Sequence, residues 1–170
     1  KKIISFFIVA CCAMCATAAK VVWQIGVADN SGTELALGPS EYKKFLAHDF
    51  GYEDRYFLVG TSVDKNDFPY VLPGPDDTWG GTWSTSGWRT HDANILFGIK
   101  KLPKHGKWKL VVDLVDANPS RSVVKVMVNS AEKKFEIKGH SKGVLEGNLQ
   151  DAKEQILEFP ISANDLKKGG

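Results

Sequence analysis

Cysteine is absent beyond residue 15: the three present, Cys11, Cys12 and Cys15, are crowded near the start of a 170-residue chain. The remainder can form no disulfide and no thiolate metal site, so its stability has to come from a hydrophobic core. Apolar runs long enough to span a bilayer are also missing, because the run from Ile3 to Ala13 falls short of the roughly 20 residues such a helix needs. No basic stripe exists, which removes the electrostatic argument for nucleic-acid binding. The four histidines, His48, His91, His105 and His140, show no two-histidine helical spacing and have no cysteine company, so the sequence assigns no transition-metal site. A Gly-x-Ser-x-Gly elbow, a phosphate loop and a dinucleotide fingerprint are all lacking.

What is present suits a single globular domain, with 43% hydrophobic and 25% charged residues. Lys1-Lys2, the apolar run and the small residues Ala16-Thr17-Ala18-Ala19 together predict a signal peptide over residues 1–19 and export of a module over residues 20–170. The localisation that follows is periplasmic, cell-surface or extracellular. The alternative is a lipoprotein anchor at Cys11 or Cys15, but Ala10-Cys11 and Met14-Cys15 lack the full Leu and small-residue context. Removing Lys1 and Lys2 from the 22 basic residues leaves 20, equal to the acidic count, so the exported part is neutral.

Taken in order, Val21 to Val27 reads as a strand and Ala28 to Gly32 as a loop. Tyr42, Phe45 and Leu46 follow Gly38-Pro39-Ser40-Glu41 at helical spacing and predict a short helical turn. Arg55 to Gly60 returns to strand composition, and Thr61 to Pro75 is expected to be irregular because of its prolines. Ile95, Phe97 and Ile99 then alternate with Asn94, Leu96 and Gly98. Trp108, Leu110, Val112 and Leu114 form one face opposite Lys107, Lys109, Val111 and Asp113, the period-two signature of a sheet packed on one side. Val124, Val126 and Val128 repeat the pattern; Asn129-Ser130 reverses the chain into Lys133 to Lys138, and Ile156 to Ser162 is the last strand. Short strands with frequent turns and no alternating helices predict an all-β antiparallel β-sandwich, most simply a jelly roll.

Between Asp76 and His91 lie three of the five tryptophans, Trp79, Trp83 and Trp88, among glycines and hydroxyl residues. Indoles in loop backbone present flat apolar faces with one N–H donor, the chemistry that stacks on sugar C–H patches. Asp76, Asp77, Arg89, His91 and Asp92 supply directed polar groups, with Tyr70 nearby, so the candidate carbohydrate-binding set is Tyr70, Asp76, Asp77, Trp79, Trp83, Trp88, Arg89 and His91. The plainer alternative is that the tryptophans pin a long loop to the domain. Trp23 and Trp108 fall on strand patterns and are assigned to the core. Asp76-Asp77 invites comparison with paired glycosidase carboxylates, but adjacent residues in an extended chain point to opposite sides, so no catalytic residue is assigned. Nor is a cofactor; the one alternative is a structural calcium at Asp64-Lys65-Asn66-Asp67, which lacks the glycine and distal glutamate of the helix-loop-helix pattern.

Trp23-Gln24-Ile25-Gly26 with Asp29, then Val59-Gly60-Thr61-Ser62 and Asp67-Phe68-Pro69, resemble the carbohydrate-binding-like β-sandwich domain of rhamnogalacturonan lyases, polysaccharide lyase family 4. The run Val124-Lys125-Val126-Met127-Val128-Asn129 is similar to the closing strands of galactose-binding-like modules. The resemblance implies a galactose-binding-like fold, a non-catalytic role beside a catalytic domain, and plant-type pectic polysaccharide as ligand. It transfers no catalytic residue. Two departures stand out: in those lyases the module lies C-terminal to the catalytic domain, whereas here it follows a leader, and the stretch Tyr70 to Arg89 is unusually rich in Trp and Gly. The reading is therefore a carbohydrate-binding module, not itself an enzyme, forming the N-terminal part of a larger exported one. The alternative is a structural domain that packs on its catalytic neighbour without binding sugar.

Overall fold

The computed structural model describes residues 3–5, 7–13, 20–38, 41, 55–73, 92–99, 107–117, 122–141 and 149–167. Strands dominate them: β1 (Ile3–Ser5), β2 (Phe7–Ala13), β3 (Lys20–Ile25), β4 (Arg55–Leu58), β5 (Val71–Pro73), β6 (Ala93–Leu96), β7 (Lys107–Leu114), β8 (Ser122–Val128), β9 (Ala131–Ile137) and β10 (Gln155–Ile161). Two helices accompany them, α1 (Asp64–Asp67) and α2 (Ala163–Lys167). The largest sheet has the order β10-β7-β2-β3, and β1-β5, β4-β6 and β8-β9 form separate pairs.

Alternation along β7 explains the main sheet. Trp108, Leu110, Val112 and Leu114 are buried, and their partners Leu157, Phe159 and Ile161 on β10 bury the same face. Pro160 is tolerated because β10 lies at the edge of this sheet. Lys109 and Glu158 form an ion pair on the outer face, where both remain partly exposed and add little stability. On the β8-β9 hairpin Val124, Val126 and Val128 turn inward, joining Trp23, Ile25 and Phe57 in one hydrophobic cluster. Its reversal is the two-residue loop Asn129-Ser130, with Asn129 at φ 52°, the left-handed conformation that tight hairpins demand.

Three expectations need correction. The pairing is not antiparallel throughout, because β4 and β6 run parallel. Asp113 was placed on the polar outer face of β7, yet it is only 3% exposed; β7 is an interior strand, and neighbours cover that end of it. Residues 61–75 are not wholly irregular: they hold α1 and β5, in which Pro73 closes a three-residue strand opposite Ile3. The run from Ile3 to Ala13 supplies β1 and β2, with β2 lying between β7 and β3; an apolar, β-branched run satisfies a strand's requirements as readily as a leader's. The helical turn predicted around Tyr42 to Leu46 lies outside the described residues.

Candidate functional site

Arg55-Tyr56-Phe57-Leu58 carries apolar residues on both faces of a strand. Phe57 is buried, at 5.9 Å and edge-on to Phe68, so its neighbours in sequence must point away from the core. Tyr56 is consequently 65% exposed and Leu58 46% exposed. In the parallel register Tyr56 lies beside Asn94 and Leu58 beside Leu96, which is also exposed. Ile95 packs inward, and Phe97 beyond it meets the Trp23 ring at 5.1 Å between centroids.

This outer face is firmly backed. Val59 N–H donates to the Leu96 carbonyl at 3.0 Å, extending the ladder past Leu58. The Ser62 hydroxyl accepts from Leu58 N–H at 2.9 Å, and the N–H groups of Thr61 and Ser62 both return to the Leu58 carbonyl. Tyr56 and Asn94 together offer a ring face, a phenol hydroxyl and a half-buried amide, the combination that stacks on a pyranose and reads its hydroxyls. Exposed Asp92 sits directly before β6 and leads back into the tryptophan segment.

Of the residues singled out in sequence, Asp76, Asp77, Trp79, Trp83, Trp88, Arg89 and His91 lie outside the described residues. Tyr70 is described and is fully buried, so it belongs to the core and offers no surface to a ligand. Its N–H donates to Ala36 O at 2.9 Å, and Ala36 N–H returns to Phe68 O, which ties this part of the chain to Ala36. Sequence reasoning passed over Tyr56. The signal was the apolar residue on each side of Phe57: a four-residue strand with two apolar faces has one to spare.

Asp64 and Asp67 are occupied with backbone donors. Asp64 Oδ2 accepts Gly26 N–H at 2.8 Å, tying α1 to the end of β3, and Asp67 Oδ2 accepts Val63 N–H at 2.7 Å. Gly26 itself adopts φ 71°, a conformation its lack of a Cβ permits. Among the described residues no three His, Cys, Asp or Glu side chains are grouped to hold a metal ion. Asp64→Ala is expected to lower stability by about 1–2 kcal/mol through the loss of the Gly26 bond. A chemical-denaturation series with and without added calcium checks this: the same loss in both series identifies a backbone tie, and a calcium-dependent loss identifies a metal ligand.

A second polar cluster lies at the far end of β7. Asp116 is fully buried and accepts the Ser141 hydroxyl at 2.5 Å and Lys153 N–H at 3.3 Å. Asp113, three residues earlier, has its carboxyl pushed up to about 6, first by burial and then by the charge and hydrogen bonding of Glu154. One of its oxygens, Oδ1, is buried without a hydrogen-bond partner. Asp116 therefore fastens Ser141 and Lys153 to the end of β7, while Asp113 opposes ionisation.

A carbohydrate-binding-like family, described as polysaccharide lyase family 4, domain III, matches residues 21–170. The chain belongs to this family. Domain III of polysaccharide lyase family 4 is a carbohydrate-binding-like domain that does not carry out the lyase chemistry. Searches of curated proteins and of solved structures returned no significant match. Within the domain III frame, the resembling motifs fall on the end of β3 and on the turn and helix after β4, the scaffold around the Tyr56 face. No helix among the described residues is long and apolar enough to cross a membrane.

Proposed function

We propose that this domain III is a non-catalytic carbohydrate-binding module of an exported polysaccharide-degrading enzyme, folded as a jelly-roll sandwich, which holds plant-type pectic glycan near a following catalytic domain. The observation that carries this reading is the exposed Tyr56 ring beside Asn94, on the strand pair whose β6 directly follows the tryptophan segment. Concave or flat aromatic surfaces with a few polar groups are the usual design for such ligands. Tethering substrate raises its effective concentration at the catalytic domain without new chemistry. The family match starts at residue 21, which leaves residues 1–20 outside it and accords with a leader cleaved near Ala19.

Isothermal titration against rhamnogalacturonan oligosaccharides and other plant glycans tests the proposal. Tyr56→Ala is expected to weaken binding roughly tenfold, the equivalent of about 1.4 kcal/mol of lost stacking. At least one of Trp79→Ala, Trp83→Ala and Trp88→Ala is expected to do the same. Failure of the wild type to bind any glycan, or indifference of binding to all four changes, removes the ligand assignment.

The exposed Leu58 and Leu96 on the same strand pair as Tyr56 favour a second reading, in which this face packs against a neighbouring domain. In that case sugars produce no heat, and the domain gains stability when its neighbour is attached.

A further inference from the structure

Strand β2 is the interior strand of the main sheet that the family match does not reach. It pairs antiparallel with β7 over seven residues without interruption, from Phe7↔Asp113 to Ala13↔Lys107. On its other side it pairs antiparallel with β3 from Ile8↔Ile25 to Cys12↔Lys20, with one register shift between Ala10 and Cys11. The strands flanking it both carry core residues, Trp23 and Ile25 on β3 and Trp108, Leu110 and Val112 on β7. The register sets Ile8, Ala10 and Cys12 opposite Val112, Leu110 and Trp108, so this strand completes the sheet over the core.

We infer that the space between β3 and β7 is a strand-acceptor site, and that Phe7–Ala13 occupies it in cis while the chain carries its first 19 residues. Without that strand, β3 and β7 would face each other across roughly 10 Å, twice the usual strand spacing, with backbone donors and acceptors unpaired on both edges. Unmatched ladders over a hydrophobic core are costly and bind extended apolar segments readily. An uninterrupted apolar segment with β-branched residues answers that requirement, and Phe7–Ala13 is such a segment. The uncleaved and cleaved chains are thus two different sheets. The leader shields an edge that cleavage exposes. Occupancy of the site stands on strand pairing, its exposure on cleavage rests on the leader of the proposed function, and neither depends on glycan binding.

Cross-linking of the full 170-residue chain tests it. With Cys12→Ser and Cys15→Ser removing the other thiols, Lys109→Cys places a cysteine at the register partner of Cys11. Directly paired antiparallel residues approach closely enough for a disulfide. Copper-phenanthroline oxidation is expected to close this bond within the chain, visible as a mobility shift and a loss of two hydrogens in the intact mass. The control Lys125→Cys, on β8, is expected to stay reduced. No cross-link at Lys109→Cys, or equal cross-linking at both positions, overturns the inference.

Hydrogen exchange on the same chain supplies a second readout. Val9 pairs with both Val111 and Gln24, so Val9→Pro breaks the strand at its centre. The amides of Val111 and Asp113 are expected to exchange at least tenfold faster in this variant while the β8-β9 hairpin keeps its protection; loss of protection throughout the domain would equally mark β2 as integral. Unchanged protection along β7 means that the leader takes no part in the sheet and overturns the inference.

Discussion

Asp116→Ala is expected to cost about 2–4 kcal/mol of folding stability, the largest single effect among the polar residues described here. The side chain is fully buried and gathers two donors from distant parts of the chain, the Ser141 hydroxyl and the Lys153 N–H. Removing it deletes both bonds and leaves a cavity at a fully buried position. Ser141 and Lys153 then lose their tie to the end of β7, so hydrogen exchange near Ser141 should rise even under conditions where the domain stays folded. Asp116→Asn retains one acceptor oxygen and is expected to cost about half as much. Urea denaturation of the two variants provides the measurement. Equal and small losses, under about 0.5 kcal/mol, would mean that the bonds contribute nothing net.

Asp113→Asn is expected to act in the opposite direction. Its carboxyl, ordinarily near 3.8, is raised to about 6 in the folded domain, so the folded form holds a proton that the unfolded form releases earlier. Stability contributed by the protonated carboxyl is present below the unfolded value and is lost as pH rises through the interval from about 4 to about 6. The amide cannot ionise. The variant should therefore gain about 1–2 kcal/mol at pH 8 and nothing at pH 4; the full two-unit equivalent is discounted because exposed Glu154 is screened by solvent. Thermal midpoints measured from pH 4 to pH 8 would flatten in Asp113→Asn relative to the wild type. Parallel curves for the two proteins would show that Asp113 ionises without hindrance.

The two aspartates also mark where the sequence stops being informative. Alternation from Trp108 to Leu114 identified β7 and its buried face, and Val124, Val126 and Val128 identified the inner face of β8, because residue type and period carry that information directly. Asp113 fitted the same alternation as an outward residue. What buries it is the position of β7 inside the sheet and the approach of Glu154, and no local pattern encodes either. The parallel pairing of β4 with β6 was equally hidden, since a four-residue strand does not announce its partner. Helix α1 was masked by its composition: four residues, none buried, leave no apolar period to detect. The tryptophans were visible through their unusual neighbours in sequence, whereas Tyr56 stood out only once Phe57 was seen to claim the inward direction.

The parallel arrangement of β4 and β6 governs how freely the connection between them can vary. Parallel neighbours cannot be joined by a tight turn, so the chain must travel the length of the pair between Leu58 and Ala93. The tryptophan segment occupies the final part of that return path. A connection already so long is thermodynamically indifferent to further growth, because doubling its length adds only about 0.6 kcal/mol of closure entropy. Residues can be inserted, deleted or exchanged there while the register of the two strands and the Tyr56 face stay fixed. If the proposed glycan binding holds, a library confined to residues 74–91 is the economical route to altered preference.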